Sequence, residues 1–212
     1  MEVIPSINVP AIDEVKNKIE QAKKFGAQKV HIDVSDGLFT DHHLSWNNPL
    51  ELKLFGLNKE LEIGIHLMVN EPEDVFENWL EAGIKELIVH VEKIGNIGMI
   101  KRQCEKAGTK LILAANPETT AEGLFAYRDL VDSFLILTVK PGLSGQNFDE
   151  SQLEKIKILR ASFPSAKIEV DGGIYPSIAK KVKEAGADAI ISGSYIWNSS
   201  DPQTAYEELK NI

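Results

Sequence analysis

Residues 29–37 read KVHIDVSDG. The first six form a β-branched run of the kind that makes strands, one histidine and one aspartate break into it, and DG closes it as a turn. Runs of this kind recur in both directions along the chain at intervals of about 20 to 30 residues: EVIPSI (2–7), KVHIDV (29–34), LEIGIHL (61–67), ELIVHV (86–91), KLILAA (110–115), SFLILTV (133–139), AKIEVDG (166–172) and DAIISG (188–193). Eight strands are expected. Between and after them lie charged segments with apolar residues at helical spacing, over 12–26, 49–56, 72–83, 97–108, 119–127, 150–163, 175–186 and 202–212. Pro72, Pro176 and Pro202 stand near helix starts, and Gly26, Gly83, Gly108 and Gly186 at helix ends, the positions those residues favour.

The strands are nearly continuous in Val, Ile and Leu, as in a parallel sheet covered on both faces. Eight βα units in 212 residues leave room only for short loops, which favours a (β/α)8 TIM barrel of the α/β class over an open doubly wound sheet. No linker, low-complexity tract or composition break divides the sequence, so residues 1–212 are expected to form a single barrel domain.

A hydrophobic content of 43% with 26% charged residues suits a soluble globular protein rather than a disordered or membrane-embedded one. MEVIPSINVP lacks the basic start of a secretory signal, and no apolar run is long enough to span a bilayer, so a cytoplasmic protein without a membrane partner is expected. The net charge of −9, with no basic stripe, argues against nucleic acid as a partner. Cys104, the one cysteine, reads as a spare thiol on a helix. Whether the chain forms a homo-oligomer is not fixed by its sequence.

Catalysis on a barrel sits at the C-terminal ends of the strands, and the unusual polar residues collect there. His31 and Asp33 finish strand two, His66 strand three, His90 and Glu92 strand four, and Asp171 strand seven. Residues 31 and 33 share a strand face that can point inward. His31, Asp33, His66 and Asp171 would make a mixed nitrogen and oxygen site for a divalent transition metal such as zinc, iron, manganese or cobalt; calcium would want more oxygens. Each of these residues alone could be an ordinary hydrogen-bonded strand-end group, but four on one face would each need a compensating partner. Asp36 is out of phase with Asp33 and reads as a local hydrogen-bonding residue of the turn.

Glycine carries the second signal. KPGLSGQNF follows strand six, VDGGI ends strand seven and SGS ends strand eight, side by side at the barrel mouth. Such turns offer backbone amides to a phosphate, which implies a phosphorylated ligand.

With PSI, HIDVSDG, HLMV, HVE, VKPGLSGQNF, EVDGGI and SGS in this order, the sequence resembles the ribulose-phosphate 3-epimerase family from end to end. The resemblance implies that His31, Asp33, His66 and Asp171 bind the metal and that Asp33 and Asp171 are also the catalytic acid and base. It further implies that Ser6, His66, Met68 and Asp171 lie against the substrate. Gly142, Leu143, Ser144, Gly145, Gly172, Gly173, Gly193 and Ser194 would hold its phosphate. Ser35 and Leu137 stand where the family usually has methionine, and Ser35 would put a hydroxyl into an apolar pocket wall. His42 and His43 are candidate substrate contacts in the loop after strand two.

The implied reaction is epimerisation of a small phosphorylated ketose, most simply D-ribulose 5-phosphate to D-xylulose 5-phosphate, through an enediolate whose charge a divalent ion would stabilise. A hexulose phosphate such as D-allulose 6-phosphate is the nearest substrate alternative, and a non-catalytic sugar-phosphate-binding barrel the alternative of another class. Related barrel lyases place a lysine in a D-x-K-x-x-D array after strand two; Ser35 occupies that lysine's position and counts against them.

Overall fold

A computed structural model describes residues 1–41, 45–59 and 61–212; the candidate contacts His42 and His43 lie outside them. Eight parallel strands close into a barrel in chain order, with the first paired to the last. They are β1 (Glu2–Ile7), β2 (Lys29–Ser35), β3 (Glu62–Met68), β4 (Glu86–His90), β5 (Lys110–Ala115), β6 (Ser133–Leu137), β7 (Lys167–Asp171) and β8 (Ala189–Ser192). The outer layer is α1 (Ile12–Lys24), α2 (Pro49–Phe55), α3 (Phe76–Glu81), α4 (Ile97–Ala107), α5 (Gln152–Ser162), α6 (Pro176–Ala185), α7 (Ser194–Trp197) and α8 (Pro202–Lys210). Among the described residues, no helix is long and apolar enough to cross a membrane.

Two helical expectations change. The segment after β5 is a 3-10 helix over Ala121–Tyr127, because it is short and carries Gly123 inside it, and helices of that length gain little from α geometry. The segment expected over 72–83 begins as a 3-10 turn, Pro72–Asp74, before α3 takes over. The short α7 directly after β8 was not expected; its first residue is Ser194.

Strand alternation divides the interior. Val30, Ile32 and Val34 of β2 point out to the helices, where the larger apolar core lies. The barrel axis holds a smaller apolar cluster that includes Ile4, Ile88, Ile112, Leu135, Leu137 and Ile191. Below it, at the strand starts, is a buried ionic group: Lys29 Nζ is 2.5 Å from Glu86 Oε1 and 3.9 Å from Glu169 Oε1, and Lys167 Nζ is 2.9 Å from both Glu169 and Glu2. Above it, at the strand ends, are the histidines and aspartates.

Candidate active site

His31 and Asp33 share the inward face of β2, and pairing of β2 with β3 sets Asp33 beside His66. Asp171 ends β7 across the barrel mouth. His31 Nε2 is 3.1 Å from Asp33 Oδ1, 3.2 Å from His66 Nδ1 and 3.8 Å from Asp171 Oδ2, while His66 Nδ1 is 3.0 Å from the same Asp33 oxygen. One ligand atom from each of the four residues lies within 4.8 Å of all the others. Two imidazole nitrogens and two carboxylate oxygens thus converge on one point. The donor set fits a divalent transition ion.

Charge is distributed unevenly over the cluster. Burial alone would raise the pKa of Asp33, but the hydrogen bond and charge of His31 hold it well below the usual carboxylate range. Asp171 goes the other way: burial and the neighbouring Asp33 charge push its pKa well up. Burial lowers His66 to about 4, helped by the positive charge that His90 and His31 can carry. Burial also opposes charge on His31, yet its hydrogen bond to Asp33 and the surrounding carboxylates leave its pKa raised. Of the two aspartates, Asp171 has the higher proton affinity.

The cluster continues into β4. His66 Nε2 is 2.8 Å from His90 Nε2, and His90 Nδ1 is 3.1 Å from Glu92 Oε2. Hydrogen bonds from His90, Thr119 and the Asn116 N–H overcome the effect of burial and bring Glu92 down to about 2. The sequence shows His90 and Glu92 at a strand end but nothing of this chain, which only the closed barrel aligns.

A cleft opens over the cluster. Its lining includes Ser6, Asp33, Met68, Gly142, Leu143, Ser144, Gly145, Asp171, Gly172, Gly173, Gly193 and Ser194, so the three glycine turns do meet at one mouth. His66 is fully buried beneath it and is not among the lining residues. Lys140 and Gln146 of the KPGLSGQNF turn line it as well, and so does Asn8, which nothing marked beforehand. Asn8 donates from Nδ2 to the Gly142 carbonyl at 2.9 Å, tying β1 to the loop after β6. The Ser6 hydroxyl donates to Asp33 Oδ2 at 3.0 Å.

The VDGG turn needs its glycines. Gly172 has φ +112° and Gly173 φ +64°; a Cβ on Gly173 would stand 2.4 Å from the Phe148 backbone nitrogen. This contact presses the β7 turn against the loop after β6 and shapes the wall that faces the cleft.

The model of the ribulose-phosphate 3-epimerase family matches residues 2–197. Ribulose-phosphate 3-epimerase of Bacillus subtilis is 35% identical over 219 residues, covering 99% of this chain and 98% of that one. The chain belongs to the ribulose-phosphate 3-epimerase family. It is therefore an isomerase of the epimerase class acting on carbohydrates. The chloroplastic ribulose-5-phosphate-3-epimerase of Arabidopsis thaliana is 33% identical, covering 98% of this chain and 75% of that one. Solved barrels extend the likeness in fold alone: a 3-hexulose-6-phosphate synthase superposes with TM-score 0.72 at 15% identity, covering 100% and 99% of the two chains. Orotidine 5'-phosphate decarboxylase from Pyrococcus horikoshii superposes with TM-score 0.67 at 16% identity, covering 99% and 100%.

Within this epimerase family the two expected departures behave differently. Leu137 lines the cleft. Ser35 is not among the lining residues, where a hydroxyl in the pocket wall was expected, and its hydroxyl accepts the Ser45 N–H at 3.0 Å. Asp36 holds its own turn through the N–H groups of Leu38 and Phe39, as expected, but its other oxygen also accepts the Asn70 N–H at 2.7 Å and joins two loops.

Proposed function

We propose that this protein is a metal-dependent ketose-phosphate 3-epimerase that interconverts D-ribulose 5-phosphate and D-xylulose 5-phosphate, with residues 1–212 acting as one barrel in the cytoplasm. The observation that carries the reading is the pairing of Asp33 and Asp171: two carboxylates of opposite proton affinity in one donor cluster at a cleft walled by glycine turns.

Epimerisation at C3 removes one proton and returns one to the opposite face, with no net redox change. It asks for one carboxylate that starts empty and one that starts loaded. Asp33, held ionised by His31, is the base for the C3–H, and the electron pair passes into an enediolate. Asp171 holds the proton that is returned to C3, and in the reverse direction the two exchange roles. Ser6 keeps Asp33 oriented through its hydroxyl. Met68 and Leu137 present apolar surface to the cleft, which limits water beside the reactive carbanion. The turns at Gly142–Gly145, Gly172–Gly173 and Gly193–Ser194 hold the phosphate through backbone amides.

His31, Asp33, His66 and Asp171 would hold the divalent ion. When bound, it supplies positive charge that stabilises the oxyanion developing on the substrate.

The test is deuterium entry at C3 when metal-loaded protein meets ribulose 5-phosphate in D2O. Exchange with formation of xylulose 5-phosphate is expected, and absence of exchange overturns the proposal. Because Leu137 is shorter than the methionine the family usually has there, D-allulose 6-phosphate, one carbon longer, is the second substrate to run.

A further inference from the structure

The His66 imidazole is engaged on both sides. Its Nδ1 faces Asp33 and His31, and its Nε2 meets His90 Nε2 at 2.8 Å. The two rings lie within 19° of coplanar with centroids 4.9 Å apart; with nitrogens this close, they meet edge to edge rather than face to face. Such a contact takes one proton, donated by one ring and accepted by the other.

Glu92 decides which. Its Oε1 accepts the Asn116 N–H at 2.8 Å and the Thr119 hydroxyl, and its Oε2 lies 3.1 Å from His90 Nδ1. A carboxylate whose Oε1 already takes two donors presents Oε2 to His90 as an acceptor, so His90 carries its proton on Nδ1. With its proton there, His90 turns a lone pair on Nε2 toward His66, and His66 must meet it with Nε2–H. Its Nδ1 is left bare, 3.0 Å from Asp33 Oδ1. Two acceptors at that distance repel, and a cation between them relieves the repulsion. Phe39, from the turn after β2, covers His90 with ring centroids 4.7 Å apart, and His90 is 1% exposed.

We propose that Glu92 and His90 are positioning residues that lock His66 in its Nε2–H form, so that Nδ1 is always a metal ligand and a carboxylate two side chains away sets the affinity for the ion. This rests on reading the four-residue cluster as a metal site, and it assigns a role to two residues that touch neither the ion nor the substrate. Outer hydrogen bonds of this kind commonly govern ligand tautomer and affinity.

Glu92→Gln keeps the shape but can offer an amide N–H to His90 Nδ1. His90 then donates through Nε2, and His66 accepts there and carries its proton on Nδ1, where it blocks the ion. Zinc affinity, measured by competition with a chromogenic chelator, is expected to fall about ten- to a hundred-fold. Nitrogen-15 shifts of His66 in the metal-free protein should move from the Nε2–H to the Nδ1–H tautomer. Loss of packing alone would move neither quantity in folded protein. An unchanged affinity or an unchanged His66 tautomer overturns the proposal. Glu92→Ala, which removes the acceptor without offering a donor, should mix the two tautomers and weaken zinc binding several-fold, and it carries the same readouts if the glutamine variant does not fold. Wild-type protein that binds no zinc overturns the metal-site reading instead, while the His66 tautomer in metal-free protein still decides whether Glu92 controls it.

Discussion

Ser35 and Ser45 hold each other by a reciprocal pair of bonds: the Ser35 N–H donates to Ser45 Oγ at 2.9 Å, and the Ser45 N–H donates to Ser35 Oγ at 3.0 Å. Ser45 Oγ in turn donates to the Asp33 carbonyl at 2.8 Å, so the segment entering α2 is fastened to the strand that carries Asp33. Ser35→Ala leaves a buried N–H without its partner and should cost roughly 1–3 kcal/mol of stability. Ser35→Met, which restores the usual residue of the family, also forces a large side chain into a site 1% exposed and should cost more. Urea unfolding of the two variants measures this; a methionine variant as stable as wild type would refute the clasp.

The eight strands were legible because a covered parallel sheet demands β-branched residues on both faces, and the H-x-D pair was legible because alternation alone sends His31 and Asp33 the same way. The ends shift by a residue or two where a side chain finds its partner only in the fold, as Ser35 does by extending β2 toward Ser45. Contacts made by closure stayed hidden. Lys29 and Glu86 are 57 residues apart and sit at strand starts, where charge normally faces solvent; only a closed barrel buries them against each other. Asn8 reaches Gly142 across 134 residues for the same reason.

Asp33→Asn and Asp171→Asn should each lower kcat by at least about a thousandfold, since each removes one of the two proton carriers the proposed mechanism requires. The two differ in deuterium exchange, because a single base can still exchange C3–H on one face. Asp171→Asn is expected to wash deuterium into ribulose 5-phosphate without making xylulose 5-phosphate, and Asp33→Asn to do the converse from xylulose 5-phosphate. Mass spectrometry of recovered substrate reads the difference. Near-normal turnover by either variant would remove that residue from the mechanism.

Gly173→Ala tests the wall of the cleft. A methyl at φ +64° meets the Phe148 backbone at 2.4 to 2.7 Å, and backbone cannot swing aside as a side chain can. The loop after β6 must move, with a stability cost of about 1–3 kcal/mol. If this turn cradles phosphate, KM for the phosphorylated ketose should rise at least about tenfold while kcat changes less. Equal falls in kcat and kcat/KM would point to misplacement of Asp171 instead.

The two ends of the barrel should respond in opposite ways. Lys29→Met leaves Glu86, 6% exposed, without its cation while Glu169 keeps Lys167, and breaking such a buried pair costs about 3–5 kcal/mol. Turnover per folded molecule should stay within about twofold, because the strand starts do not reach the cleft. Thermal melting and active-site-normalised kcat separate the two effects.

Acid should weaken the fold partly through Glu92, whose pKa falls from an ordinary 4.5 to about 2 in the folded protein. Because the folded value is the lower one, the stabilisation is complete above about pH 4.5 and is lost as pH falls toward 2, where the folded carboxylate too takes up a proton. The side chain is 23% exposed, and a depression of this size corresponds to roughly 3 kcal/mol before screening, so about 2 kcal/mol is expected. Glu92→Gln cannot titrate. The stability gap between wild type and this variant, followed by urea unfolding of the metal-free proteins, should therefore be largest near neutral pH and close between pH 4.5 and 2. A gap that stays constant through that range would mean that Glu92 supports the fold through its shape and hydrogen bonds and not through its charge.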